Sequence, residues 1–229
     1  MVYAIDRVLK RLLDNRFYWN VIEGPLYNIL IYRSLDKGYD AFLRTLSIAP
    51  AAKVLDVGSG AGQATLRLAT RYPETSVFGI DYAVIQVHIA QLCKRYRKVH
   101  NIEFRIGDAL HIPFRDGTFD IVVSLGSIKH WSDVRRGFAE IHRVLRSGGF
   151  AHIIECDPDA TREEITELAG RAAWFFPLRQ AIAWYQERVV FGQGPERDEV
   201  SVLAQEVGFG EVIVKRMKEL PFFYLILRK

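Results

Sequence analysis

An α/β fold is predicted for this chain: a doubly wound, mostly parallel sheet with helices on both faces. Three observations predict it. Short apolar runs alternate with helical patterns from Lys53 onward, and one such run passes through a glycine turn into a helix at 54–69. Two further apolar runs, Val212–Val214 and Phe222–Leu227, follow each other with no helix between them. The length of 229 residues suits one such domain with additional helix, and a hydrophobic fraction of 49% is ample for its core.

Taken in order, residues 1–47 carry helical patterning with Phe17, Tyr18, Trp19, Tyr27, Tyr32 and Tyr39, and are read as an N-terminal helical cap. Strands are expected at 53–57, 76–80, 102–106, 120–124 and 150–154, with helices near 61–72, 83–98 and 133–146. A helical insertion follows the fifth strand at 158–197 and contains Trp174-Phe175-Phe176-Pro177 and Trp184-Tyr185. Aromatics at helical spacing serve as core, or as the wall of a pocket when they lie beside the strand ends of an open sheet. Residues 198–229 hold a last helix and the two final runs, an antiparallel pair closing the sheet. With no repeat or linker in view, 1–229 reads as a single domain.

Composition narrows the class. No apolar segment reaches the roughly 18 residues of a membrane span. Asp6, Arg7, Lys10 and Arg11 interrupt any apolar leader, so a cytoplasmic protein is expected. Cys93 and Cys156 form neither a disulfide framework nor a metal-ligand spacing. The net charge of +4 permits an acidic partner without requiring one. The cluster Lys94-Arg95-Tyr96-Arg97-Lys98 is either a solvated helix end complementing the dipole or a nucleic-acid patch.

The most specific segment is Val54-Leu55-Asp56-Val57-Gly58-Ser59-Gly60-Ala61-Gly62-Gln63. A buried strand ends at a carboxylate and enters three glycines at alternate positions, followed by a helix N-terminus whose free N–H groups suit an anionic group. Glycine-rich turns of this kind also form for tight packing alone. A dinucleotide fingerprint would need glycine where Gln63 stands, and no Gly-Lys-Ser/Thr follows for a phosphate loop. Asp56-x-Gly58-x-Gly60-x-Gly62 resembles motif I of the class I S-adenosylmethionine-dependent methyltransferases.

Further matches follow in order. Asp81, with Tyr82 after it, ends the second strand, where a carboxylate can accept hydrogen bonds from ribose hydroxyls or cap the next helix. Gly107-Asp108-Ala109 follows the third strand and resembles the family segment that binds adenine; a simple turn is the other reading. Asp120 heads the fourth strand, away from the binding edge, and is read as structural, whereas Ser124 and Leu125 leave the edge beside the glycine turn. Leu145-Arg146-Ser147-Gly148-Gly149 looks like the family turn before strand five, a helix stop with a left-handed glycine.

The resemblance, to the small-molecule methyltransferases around the ubiquinone and menaquinone biosynthesis enzymes, covers residues 50–155 and extends to the final strand pair. It implies a seven-stranded Rossmann-like sheet and S-adenosylmethionine as cofactor, with 50–155 as the cofactor-binding core. The residues it assigns to the cofactor are Asp56, Gly58, Ser59, Gly60, Gly62 and Gln63 at the turn, then Asp81 and Tyr82, Asp108 and Ala109, and Ser124 and Leu125.

The acceptor is less defined. His130, in Ser127-Ile128-Lys129-His130-Trp131-Ser132-Asp133, is the candidate base or acceptor-positioning residue, or alternatively a loop cap. Glu155 and Asp157 are expected at the pocket edge, and Arg171, Arg179 and Arg188 either meet an acidic group or form a solvated face. Ser124-Leu125-Gly126-Ser127 replaces the Asn/Asp-Pro-Pro-Tyr/Phe of amino-methylating nucleic-acid enzymes, and neither cysteine follows a proline, so nucleic acid is disfavoured. Ser124 also stands where metal-dependent catechol enzymes need a carboxylate, and no metal is expected. A small or amphiphilic acceptor remains, with a nucleic-acid methyltransferase and a non-catalytic S-adenosylmethionine-binding module as the alternatives.

Overall fold

A computed structural model describes residues 32–171, 176–191, 194–217 and 220–229. The aromatics Phe17, Tyr18, Trp19, Tyr27, Trp174 and Phe175 lie outside these residues. In chain order the elements are α1 (Tyr32–Thr45), β1 (Lys53–Val57), α2 (Gln63–Arg71), β2 (Ser76–Asp81), α3 (Val84–Arg97), β3 (Ile102–Ile106) and β4 (Phe119–Leu125). After a short 3-10 helix (Ile128–His130) come α4 (Val134–Val144), β5 (Leu145–Cys156), α5 (Arg162–Gly170) and α6 (Phe176–Tyr185). A π-helical stretch (Gln186–Phe191), α7 (Arg197–Val207), β6 (Glu211–Arg216) and β7 (Phe222–Arg228) follow.

The strands form one seven-stranded sheet in the order β3-β2-β1-β4-β5-β7-β6. Strands β1 to β5 pair in parallel, while β7 runs antiparallel between β5 and β6. Parallel strands covered on both sides should be apolar throughout, and Val54 to Val57 of β1 are all buried. Alternate side chains feed two cores. Val54, Ile121 and Val123 meet Leu66 and Leu68 of α2, Phe42 of α1 and Leu168 of α5 on one face. On the other, Leu55, Val57 and Val122 meet Phe138 and Ile141 of α4 and Val200 of α7. The chain builds outward from β1 through β2 to β3, then crosses to β4 on its other side, leaving a crevice between the carboxyl ends of β1 and β4.

Local signals explain several boundaries. Asp133 caps α4 by accepting from the N–H of Arg136 at 2.9 Å, and Thr161 with Glu164 forms a capping box on α5. Asp120 accepts from the Lys53 N–H at 2.7 Å and pairs with Arg146 at 2.6 Å, a structural role at the strand's far end. One boundary differs from expectation. α4 stops at Val144, and Leu145–Gly149 are not a free turn but the bulged start of β5, where the register moves from Phe119↔Leu145 to Ile121↔Phe150. Gly148 is left-handed as expected (φ 75°), and its N–H donates to the carbonyl of Lys229 at 2.9 Å.

Candidate active site

The crevice holds a cavity of about 240 Å³. Its floor is the turn after β1. The N–H groups of Gly58 and Ser59 both donate to the Ile80 carbonyl at 2.9 Å, which folds the turn over the end of β2. Asp81 then ties three segments together: Oδ2 accepts from the Gly60 N–H at 2.9 Å and Oδ1 from the Ala83 N–H at 2.8 Å. Burial pushes its carboxyl up to about 6 against those two hydrogen bonds. Asp56 lies beside it, fully enclosed, with Oδ2 accepting from the Thr65 hydroxyl at 2.6 Å. Burial, and secondarily the Asp81 charge, raises Asp56 to about 7.

The three glycines divide their work. A Cβ on Gly58 would stand 2.0 Å from Ser127 Oγ, and one on Gly62 would meet Phe104 at 2.5 Å and Ala90 at 2.9 Å. Those two serve close packing, the alternative left open for such turns. Only at Gly60 is the space beside the Cα open, and it faces the cavity. All three have positive φ (78°, 53° and 78°). Gly58→Ala is therefore expected to destabilise the fold by about 2 kcal/mol or more. Gly60→Ala should stay folded, with a Tm within a few degrees of wild type, yet lose most ligand affinity. Thermal melts and titration calorimetry on the two variants separate these outcomes, and equal behaviour would refute the division.

Of the residues expected at the cofactor, Asp56, Gly58, Ser59, Gly60 and Gln63 line the cavity, as do Asp81, Tyr82, Asp108 and Leu125. Gly62, Ala109 and Ser124 are outside its wall. Ala109 packs into the second core, and the Ser124 hydroxyl, fully buried, donates to the Val57 carbonyl at 2.9 Å. Asp108 accepts from the Leu110 N–H at 2.9 Å, and Leu110 takes the wall position next to it.

The opposite wall is the loop after β4. Gly126, Ser127, His130, Trp131 and Ser132 face the cavity. Trp131 Nε1 donates to Ser127 Oγ at 3.0 Å, and its ring fills the space over Gly137, where a Cβ would approach within 2.3 Å. His130 is half-buried at the wall; burial, aided by the adjacent Lys129 charge, lowers it to about 3. It is a neutral hydrogen-bonding group at physiological pH and a weak base.

Several expectations about the acceptor side change. Glu155 and Asp157 are not at the pocket edge but fully buried: Glu155 pairs with Lys129 at 3.4 Å and Asp157 with Arg216 at 2.6 Å. Arg179 lies against Gly170, where its Nε donates to the Thr166 carbonyl at 3.1 Å, and Arg171 pairs with Glu167 at 3.9 Å. Neither arginine, nor Arg188, lines the cavity. No described residue of the insertion does so; Tyr39 of α1 reaches it instead, with its ring 6.1 Å from Phe222. Tyr39, Ala64, Gln86 and Leu110 are wall residues that sequence reasoning did not assign. A signal existed for Gln86, a polar residue at a buried position between Ile85 and Val87 in the first turn of α3.

A seven-stranded, doubly wound sheet with paired buried carboxylates beside a glycine turn at its switch point defines a nucleotide-cofactor site of the methyltransferase kind. Comparison with known proteins is specific. A methyltransferase domain profile matches residues 55–153. The chain is 31% identical over 197 residues to a ubiquinone/menaquinone biosynthesis C-methyltransferase of Geobacter sp., covering 82% of this chain and 83% of that enzyme. It is 33% identical over 143 residues to the demethylmenaquinone methyltransferase of Deinococcus radiodurans, an alignment spanning 60% of this chain and less than two thirds (58%) of the relative. Its fold matches a crystal structure of a methyltransferase from Aquifex aeolicus (TM-score 0.63, 18% identity, 82% of this chain and 88% of that one). It also matches phosphoethanolamine N-methyltransferase 2 of Haemonchus contortus (TM-score 0.70, 14% identity, 93% and 59%). The chain belongs to the class I S-adenosylmethionine-dependent methyltransferases, in the group that includes the ubiquinone and menaquinone biosynthesis enzymes, and S-adenosylmethionine is its cofactor.

The residues present fit that cofactor. Asp56 Oδ1 and Ser59 Oγ are buried polar atoms with no hydrogen-bond partner, both at the glycine turn. Two carboxylates at the floor suit a ligand carrying a sulfonium and an ammonium. Among the described residues no helix is long and apolar enough to cross a membrane, and no group of His, Cys, Asp and Glu could hold a metal ion.

Proposed function

We propose that this methyltransferase acts on the ring of a hydroquinone bearing an apolar tail. The similarity to the Geobacter C-methyltransferase over four fifths of both chains carries this reading. A rice 2-methyl-6-phytyl-1,4-hydroquinone methyltransferase adds to it, at 40% identity over 102 residues, 44% of this chain and 28% of that enzyme. The wall supports it chemically: Tyr39, Leu125 and Trp131 offer apolar and aromatic surface, and no Lys or Arg lines the cavity. A carboxyl acceptor is the second reading, favoured by 38% identity over 145 residues to a malonyl-[acyl-carrier protein] O-methyltransferase of Geobacter sulfurreducens. The absence of a cation in the described wall weighs against it. A nucleic-acid acceptor is disfavoured because the Lys94–Lys98 cluster lies at the far end of α3, about 20 Å from the turn that borders the cavity. A cytoplasmic location fits Cys93 and Cys156 as free thiols.

In this reading the turn from Gly58 to Gln63, with Asp56, takes the amino-acid end of the cofactor. Asp81 and Tyr82 take the ribose, and Asp108 with the backbone of Ala109 takes the adenine. Gly62 and Ser124 act by shaping the backbone around the site, and Leu125 lies beside the methionine portion. Bound S-adenosylmethionine supplies an electrophilic methyl group on sulfur. The protein's task is to align the acceptor carbon in line with it and exclude water. Tyr39 and Trp131 close the wall, and neutral His130 accepts a hydrogen bond from the acceptor hydroxyl.

The direct test incubates the protein with S-adenosylmethionine and reduced 2-geranyl-1,4-naphthoquinol and seeks a ring-methylated product by mass spectrometry. Absence of product, with cofactor binding intact, would remove the quinol reading alone. Because His130 titrates far below neutrality, kcat is expected to show no inflection near 6.5 from this residue. His130→Gln, which keeps a hydrogen-bonding side chain, should retain at least roughly a tenth of kcat. A loss of about a thousandfold would instead assign it the proton transfer.

A further inference from the structure

Behind the acceptor wall lies an ion pair that no step above uses. The Lys129 and Glu155 side chains are 1% and 0% exposed, and Lys129 Nζ stands 3.4 Å from Glu155 Oε1. The same carboxylate accepts from the Lys129 backbone N–H at 3.2 Å through Oε2, and from the Cys156 N–H at 2.8 Å through Oε1. Lys129 Nζ also donates to Cys156 Sγ at 3.5 Å, a thiol that burial pushes up to about 12 and therefore a neutral partner. Glu155 thus grips the loop after β4 by both backbone and side chain. A second grip lies upstream, where the Gly126 N–H donates to the Ile154 carbonyl at 2.8 Å. On the loop's other side Ser127 Oγ is pressed against Gly58, leaving no room for a Cβ. Residues 126–132 are therefore held between β5 and the cofactor turn.

Buried ion pairs contribute little stability compared with apolar residues of the same volume, and their best-attested use is to specify one geometry. This one occurs where geometry decides catalysis, since misplacement of a reacting group by about 1 Å can lower the rate a hundredfold. We propose that Lys129 and Glu155 are positioning residues, which lock the 126–132 loop so that His130 and Trp131 meet the acceptor in one fixed arrangement. The inference deepens the acceptor reading and, for its kinetic consequence, rests on it.

Either single neutralisation leaves one buried charge unpaired, so the test uses the double variant Lys129→Met/Glu155→Gln. It is expected to fold with a Tm within a few degrees of wild type and to bind S-adenosylhomocysteine within about threefold. Amide exchange across 126–132 should rise at least tenfold, with exchange elsewhere unchanged. The kcat for 2-geranyl-1,4-naphthoquinol should fall at least tenfold, with the KM for S-adenosylmethionine unchanged. A folded double variant with wild-type loop exchange overturns the proposal. So does one that fails to fold, since the pair is then a stability element. If wild type itself transfers no methyl to the quinol, the acceptor reading fails separately and loop exchange alone decides.

Discussion

Replacing Asp81 by alanine is expected to weaken S-adenosylmethionine binding at least a hundredfold. The carboxylate accepts the N–H groups of Gly60 and Ala83 at 2.9 and 2.8 Å, and its removal leaves two enclosed donors without an acceptor. Each such loss is worth about 1–3 kcal/mol, and a ligand hydroxyl bound to a carboxylate about as much again. A hundredfold corresponds to roughly 2.7 kcal/mol, so the expectation is conservative. Asp81→Asn keeps one acceptor oxygen and should fall between wild type and alanine. Acidity should act through the same group. Ligand favours the ionised carboxylate, whose empty-site value is about 6, so binding releases a proton and affinity drops as pH falls through that value. Calorimetry in buffers of different ionisation enthalpy, from pH 7.5 down to 5, measures both effects. An unchanged dissociation constant in the alanine variant would end the cofactor assignment of Asp81.

Asp56→Asn should do two opposite things: abolish cofactor binding and stabilise the empty protein. Burial raises the folded-state value to about 7 from an ordinary value of 3.8. The folded state therefore holds a proton that the unfolded state gives up between pH 4 and 7. Stability from this group is fully present below pH 4 and is lost as pH rises through 7. Removing the ionisable group should recover on the order of 3 kcal/mol at pH 8, or a Tm higher by several degrees. Thr65 is already bonded to Oδ2 and Oδ1 is enclosed without a partner, so under the proposed cofactor role this group would trade stability of the empty protein for a cationic ligand. Denaturation at pH 5 and pH 8 checks the claim. A variant less stable than wild type at pH 8, or one that binds cofactor normally, would contradict it.

Most of the cavity wall at the glycine turn was legible because its signals are local. The Val54–Gln63 segment contains strand, turn and helix start within ten residues, so spacing alone placed Asp56 and Gly60 correctly in one wall. Asp81 was legible for the same reason, lying at the end of the next apolar run. The division among glycines was not. Gly58 and Gly62 face Ser127 and Phe104, which are 69 and 42 residues away, and nothing in the turn itself names those neighbours. The helix stop at 145–149 is present, with α4 ending at Val144 and Gly148 left-handed, but only pairing with β4 shows that the same segment opens β5 as a bulge.

The acceptor side shows the same limit more strongly. Glu155 and Asp157 lie at the carboxyl end of β5, the place where functional carboxylates gather, and local reasoning put them at the pocket. Instead, Lys129 and Arg216 draw them into the interior, from elements 26 and 59 residues away. The sequence by itself determined the alternation of elements, the glycine turn and the two carboxylates that line the cavity beside it, because each rests on spacing within one strand–turn–helix unit. The tertiary structure alone decided which glycine leaves open space toward the cavity, that Tyr39 rather than the described insertion helices reaches the wall, and that burial lowers the His130 pKa. Those outcomes depend on what is brought within a few ångströms by packing of distant segments, and desolvation by such neighbours has no local signature.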